Sequence, residues 1–248
     1  MAVASLSAVE VEYPGRGKAL GPFDLEVKAG EIVALVGPSG CGKSTALRLL
    51  AGLEQPTQGE VRRTPGRGET AVVFQSPTLM PWATALRNAA LPLDLEGIDG
   101  AEARRRALDA LDQVGLAGAA DAKPAQLSGG MAMRVSLARA IVTEPRLLLL
   151  DEPFAALDEI TRRDLAEDIH HLWVRSGPAI VFVTHNVEEA VYMASRIVVM
   201  SAGPGRTYSE LAGNADFPRP AHFRTTEPFR RMAEAVSRDL AASMGRAA

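Results

Sequence analysis

Gly37-Pro38-Ser39-Gly40-Cys41-Gly42-Lys43-Ser44-Thr45 is the stretch on which the rest of the chain turns. It spells a glycine, four residues, then Gly-Lys-Ser, and it follows Ile32-Val33-Ala34-Leu35-Val36, an apolar and β-branched run that predicts a buried strand. Beyond it, Ala46-Leu47-Arg48-Leu49-Leu50 predicts a helix stopped by Gly52. Strand, glycine loop and helix in this order make a phosphate cradle. Successive backbone N–H groups turn inward around anionic oxygens, Gly40 and Gly42 keep a Cβ out of that approach, and the anion sits at the positive end of the helix dipole. Lys43 supplies a mobile cation for β- and γ-phosphates, and the Ser44 hydroxyl suits Mg²⁺. A glycine-rich turn ahead of a core helix is the plain alternative, and the alignment of all three parts argues against it.

Working outward, 248 residues allow one full core with an attached subdomain but not two nucleotide-binding domains. Apolar residues make up 47%, both charge signs are mixed, and the net charge of -3 advertises no nucleic acid. A lone cysteine, Cys41, forbids an internal disulfide and fits a reducing compartment. No uncharged apolar run approaches the roughly 18 residues of a membrane span, and Met1 to Ser7 lacks the form of a signal peptide, so the chain is expected in the cytoplasm.

Ahead of the loop, Val9 to Tyr13 and Phe23 to Val27 alternate apolar with polar and predict antiparallel strands with one wet face. Tyr13 stands beside a turn, where its ring either stacks on a purine or packs on its own sheet. After the loop, Gly59-Glu60-Val61 begins a short strand, and Arg62 to Gly68 reads as solvated surface. Ala71 to Phe74 is a further strand, and it delivers Gln75, whose carbonyl oxygen can reach a metal or a water. Ser76 to Trp82 holds two prolines and is an extended loop exposing Leu79, Met80, Pro81 and Trp82, either to a partner or folded onto the core.

From Thr84 to Gly118 the apolar spacing turns helical, with Arg104-Arg105-Arg106 on a solvated face. Leu127-Ser128-Gly129-Gly130 precedes a helix predicted over Met131 to Val142. Ser128 is its N-cap and the two glycines leave the first N–H groups uncovered, a second anion site at a helix start. Leu147 to Leu150, without alternation, predicts a strand buried on both faces that delivers Asp151 and Glu152 at its carboxyl end, where open α/β sheets bind ligands. Adjacent carboxylates there call for a cation. Mg²⁺ held through Asp151 leaves Glu152 to orient or deprotonate a water. Ala179 to Val183 delivers Thr184 and His185 in the same way, with Asn186 and Glu189 as a capping pair for the next helix. Arg196 to Met200 is the last clear strand; the tail holds Pro218, Pro220 and Pro228, then a surface helix over Phe229 to Leu240 with Met232, Ala235, Val236 and Asp239 facing the body.

With Gly37 to Thr45, Gln75, Leu127 to Gly130, Leu147 to Glu152, Ala156-Leu157-Asp158 and His185 in this order, the chain resembles the nucleotide-binding subunit of ATP-binding cassette transporters. The resemblance runs to about Gly205. It implies a P-loop NTPase fold with a RecA-like parallel-sheet core and antiparallel β part (1–82 and 145–205), a helical signature subdomain (83–144) and a C-terminal tail (206–248). It implies ATP bound by Tyr13, Gly37, Pro38, Ser39, Gly40, Cys41, Gly42, Lys43, Ser44 and Thr45, with Ser128, Gly129 and Gly130 as signature. Ser44, Gln75 and Asp151 would hold Mg²⁺, and Lys43, Gln75, Glu152 and His185 would be catalytic. Asp158 falls at the D-loop. Leu79 to Trp82, Pro153-Phe154, Thr161-Arg162, Trp173 and Gly203-Pro204-Gly205-Arg206 look like the bacterial branch that imports nitrate, sulfonates and taurine. Met131, Ala132 and Met133 depart from the usual glutamine and polar pair of the signature.

One γ-phosphate needs one cradle, yet the chain offers two helix starts built for anions. Two copies packed head to tail would close Ser128, Gly129 and Gly130 of one over the nucleotide on Lys43 of the other. The expected partners are therefore a second copy, transmembrane permease subunits at the cytoplasmic face of the inner membrane and, indirectly, a periplasmic or extracellular solute-binding protein. A soluble cassette ATPase of non-transport function is the alternative, although such relatives usually carry two cassettes or a long coiled-coil insertion. A phosphate-loop kinase is a third reading, in which the signature segment has no task.

Overall fold

The computed structural model describes residues 1–15, 17–66, 68–213, 217, 219–220 and 222–245. Two strands, β1 (Ala2–Tyr13) and β2 (Gly17–Lys28), open the chain as an antiparallel pair. Both run longer than their alternating stretches predict, because register shifts along the pair break the two-residue period that marks a strand in sequence. Next come β3 (Ile32–Val36), α1 (Lys43–Ala51), β4 (Gln58–Arg63) and β5 (Thr70–Val73). Three helices follow, α2 (Ala85–Leu95), α3 (Gly100–Gln113) and α4 (Gly129–Ile141). The chain then alternates through β6 (Leu147–Asp151), α5 (Glu159–Ser176), β7 (Ala179–Thr184), α6 (Val187–Met193) and β8 (Arg196–Met200), and ends with β9 (Thr207–Ala212) and α7 (Glu227–Ser243).

Two sheets result. β2-β1-β4 is antiparallel, and β5-β6-β7-β3-β8-β9 is parallel except for β9 at its edge. The central strands β3, β6 and β7 are buried at every position, and apolar up to Asp151 and Thr184 at their carboxyl ends, because both faces are covered. Leu147 and Leu149 face a core shared with β1, β2 and α1, whereas Leu148 and Leu150 face a second core built from α2 to α7. Each such leucine, fully buried, contributes roughly 2 kcal/mol of transfer free energy.

The tail departs from the sequence reading in one element. β9 is a sheet-edge strand with four of its six residues exposed, so its apolar signal is weak, and the sequence reading does not include it between Arg206 and the last helix. Pro218 lies outside the described residues. In α7, Val236 is buried, Met232 packs on the core and Asp239 accepts from Ser209 Oγ at 2.7 Å. The arginine triplet also divides. Arg105 is exposed and paired with Glu102 and Asp109, but Arg106 reaches the Val142 carbonyl at 2.8 Å and ties α3 to the end of α4.

His170, on α5, is 2% exposed, stacked on Tyr192 and set edge-on to Phe217, with ring centroids 5.0 Å apart in each case. Burial first, then the positive charges of Arg219, His171 and Arg224, push its pKa down to about 4 against the Met193 carbonyl. The folded state therefore refuses a proton that the unfolded chain accepts near 6.5. This contribution to stability is complete above that pH and is lost as pH falls from 6.5 towards 4, by about 3 kcal/mol. Urea unfolding at a series of pH values is expected to show that decline, and His170→Phe is expected to flatten it.

Candidate nucleotide site

Strand register brings the site together. Val36 pairs with Thr184 and Asp151 with Val183, so the loop after β3, the carboxylates ending β6 and the turn after β7 emerge side by side at one sheet edge. On the other side of β6, Val73 pairs with Leu150, so Gln75 leaves β5 level with Glu152.

Lys43, buried, donates from Nζ to the carbonyls of Gly37 at 2.8 Å and Pro38 at 2.9 Å, and its ammonium lies 3.9 Å from Cys41 Sγ. Ser39 and Gly40 form the open rim of this loop. Gly42 has φ +98°, and a Cβ there would meet the Ala19 carbonyl at 2.6 Å, so both backbone and packing demand glycine. Thr45 is buried in the first turn of α1. Ser44 Oγ donates to Asp151 Oδ1 at 2.9 Å. Burial raises the Asp151 pKa, the Ser44 hydrogen bond opposes this, and the charge of Glu152 adds to it. A buried carboxylate held by a hydroxyl beside a second carboxylate is an all-oxygen donor set suited to Mg²⁺.

Glu152 sits at φ +47°, a left-handed conformation that costs a non-glycine residue about 1–3 kcal/mol. Its N–H is tied to the Val183 carbonyl at 3.1 Å, and its carboxylate lies 3.5 Å from His185 Nδ1. His185 is largely exposed. Tyr13 is half-buried against the β1–β2 core; burial first and then Glu54 raise its pKa, and Thr45 opposes them.

Gln75 is exposed, and the loop beyond it is held by two residues that carry no sequence pattern. Arg139 of α4 donates to the carbonyls of Pro77 at 2.8 Å and Thr78 at 2.9 Å. Asn88 of α2, fully buried, accepts from the Met80 N–H at 2.7 Å and donates to the carbonyls of Met80, Ala83 and Thr84. The loop therefore splits between the two alternatives its sequence left open. Leu79 packs on the core, whereas Trp82 is 73% exposed.

Ser128 caps α4, accepting from the Met131 N–H at 3.2 Å, as its placement predicts. The helix starts two residues earlier than its apolar spacing indicates. Gly129 is open, but Gly130 is buried against the Thr161 methyl group, so only one of the two glycines leaves the helix start uncovered. Among the described residues, neither Ser128 nor Gly129 is hydrogen-bonded to the Lys43 loop. The Gly203–Arg206 segment is a strap: Gly205 accepts from the Gly21 N–H at 2.9 Å, and Arg206 Nε donates to the Gly21 carbonyl at 3.1 Å, holding β2 against the phosphate loop.

A parallel sheet whose strand ends deliver a glycine loop, a paired serine and aspartate, and a glutamate facing a histidine defines a P-loop nucleotide-binding cassette. The ABC transporter family profile matches residues 20–155. The aliphatic sulfonates import ATP-binding protein of Mycobacterium sp. (strain MCS) is 49% identical over 205 residues, 83% of this chain and 82% of that protein. The taurine import ATP-binding protein of Chromobacterium violaceum is 45% identical over 218 residues, 85% of this chain and 83% of that protein. The dimeric structure of a bacterial ABC transporter cassette superposes with a TM-score of 0.77 at 34% identity, over 86% of this chain and all of the other. The chain belongs to the ABC transporter family, as an ATP-hydrolysing, ATP-binding subunit.

Proposed function

We propose that this chain is the motor subunit of a bacterial importer of small organic or inorganic anions of the nitrate, sulfonate and taurine kind, acting as a head-to-tail pair on the cytoplasmic face of the membrane. One observation carries the reading. Lys43, Ser44 with Asp151, and Glu152 with His185 are gathered at adjacent strand ends, while the open helix start at Ser128 and Gly129 has no bond to that loop. A triphosphate on Lys43 is then covered by Ser128, Gly129 and Gly130 of a second copy. The sulfonate and taurine import proteins among its relatives support the anion class, and the dimeric cassette supports the pairing.

Backbone N–H groups from Gly37 to Thr45 hold the phosphates, and Tyr13 offers its ring to the adenine. Ser44, Asp151 and Gln75 would hold Mg²⁺, which when bound neutralises phosphate charge. Glu152 takes the proton of the attacking water, with His185 and Gln75 beside the γ-phosphate. In this division residues 83–144 form the signature subdomain on a core of 1–82 and 145–205, with 206–248 as a tail. Arg139 joins that subdomain to the Gln75 loop, and the exposed Trp82 meets the permease. Among the described residues no helix is long and apolar enough to cross a membrane.

Affinity purification from detergent-solubilised membranes of the native host tests this. Recovery of integral membrane permease chains, with free phosphate as the product of ATP turnover, is expected. Recovery with ribosomes alone, or a phosphorylated small molecule as product, would replace the importer reading.

A further inference from the structure

Thr161-Arg162 and Glu189 have no part in the site as described, yet they join two of its pieces. Thr184, the residue before His185, donates its hydroxyl to Glu189 Oε2 and accepts from the Asn186 N–H at 3.0 Å. Asn186 caps α6 through the N–H groups of Glu188 and Glu189, so the Glu189 side chain is turned inward and does not return to the cap as a reciprocal box would. Its other oxygen lies 3.4 Å from Arg162 Nε. Arg162 in turn donates from Nη2 to the Leu157 carbonyl at 3.0 Å, immediately before Asp158. Asp158 caps α5 and accepts from both the N–H and the hydroxyl of Thr161, whose methyl group covers Gly130.

A continuous line of side chains thus runs from the His185 turn, through Thr184, Glu189 and Arg162, to the Asp158 turn and the start of α4. The Glu189 side chain is 11% exposed and that of Arg162 26%, so the pair is largely removed from water, and each keeps another partner when the other is neutralised: Arg162 lies 3.5 Å from Glu159, and Glu189 accepts from Thr184. A contact of that kind fixes the separation of α5 and α6. Glu189 meets the sheet edge only through Thr184, and neither Glu189 nor Arg162 is bonded to Lys43 or Ser44, so the line bears on His185 and Asp158 and not on the phosphate cradle.

We infer that Glu189 and Arg162 are positioning residues, setting His185 against Glu152 in register with the Asp158 turn that a second copy would meet across the dimer. This rests on Glu152 and His185 being the hydrolytic pair. It predicts a loss in turnover without a loss in nucleotide binding.

The experiment is a double-mutant cycle on the full chain, Glu189→Gln, Arg162→Gln and both together. It measures kcat and KM for ATP alongside the thermal unfolding midpoint, with Arg162→Lys as the conservative variant and Glu152→Gln as a control. Each single change is expected to lower kcat about tenfold, the scale set by a small misplacement of a catalytic group. KM and the midpoint should stay near native, the double variant should be no slower than the slower single, and Arg162→Lys should recover most of the rate. The inference falls if either single variant hydrolyses ATP at the native rate, if the two losses multiply, or if the rate falls only together with the unfolding midpoint. Should Glu189→Gln not fold, Arg162→Gln and Arg162→Lys decide alone, by the same split of kcat from KM and the same rescue. A normal rate for Glu152→Gln would instead overturn the underlying reading of the site.

Discussion

Glu152→Gln is expected to bind ATP as the native chain does, to hydrolyse it at least about 100-fold more slowly, the lower end of what a positioned base contributes, and to accumulate as a closed dimer. Glutamine matches glutamate in size and keeps an acceptor oxygen towards His185, but it does not take a proton from water. Its backbone would inherit the same left-handed φ of +47°, so the turn after β6 is not changed. Removing the charge also relieves Asp151, whose pKa is raised chiefly by burial and further by that neighbour. No loss of stability should accompany the loss of rate. Because ATP would be clamped between copies and not consumed, the paired state has no route to release. Phosphate release and size-exclusion chromatography with and without ATP measure both effects. Hydrolysis at the native rate would remove Glu152 from the base role.

What the sequence disclosed and what it withheld divide along a physical line. Leu147 to Leu150 and Ile32 to Val36 could be read as buried strands because a strand covered on both faces has no polar position to hide. Residues at the ends of such strands then fell on one sheet edge by topology alone, which is how Lys43, Asp151, Glu152 and His185 could be grouped before any coordinates. Ser128 was legible because an N-cap is a local device, closed within three residues. Arg139 and Asn88 were not, since each works by bonding to backbone carbonyls of a loop, and a carbonyl leaves no trace in residue identity; Arg162 stood out only as part of the branch resemblance, and its bond to the Leu157 carbonyl was hidden for the same reason. Arg106 looked like a solvated charge for the same reason: its partner is the Val142 carbonyl, 36 residues away. Glu189 was placed correctly beside Asn186 but given the wrong partner, because the capping pattern is local whereas the bond it makes, to Thr184, reaches back across the turn.

Mixing two inactive variants is expected to restore activity. Lys43→Ala removes the cation from the cradle, while Ser128→Arg fills the open helix start and removes the cap of α4, whose hydroxyl now holds the Met131 N–H. In a pair built head to tail, a homodimer of either variant has both sites broken. A mixed dimer has one site broken twice and the other intact, because the chain carrying Ser128→Arg keeps its own Lys43 and meets the native Ser128 of its neighbour. Random pairing makes half of the dimers mixed, so the mixture should recover about a quarter of the native rate if each site turns over independently. Each pure variant should stay near background at every concentration. The native chain should lose specific activity on dilution as pairs separate, since the Ser128 turn of a lone copy makes no bond to its own Lys43 loop. A dilute native chain that keeps its full rate, or a pure Ser128→Arg variant that hydrolyses normally, would show that one copy suffices.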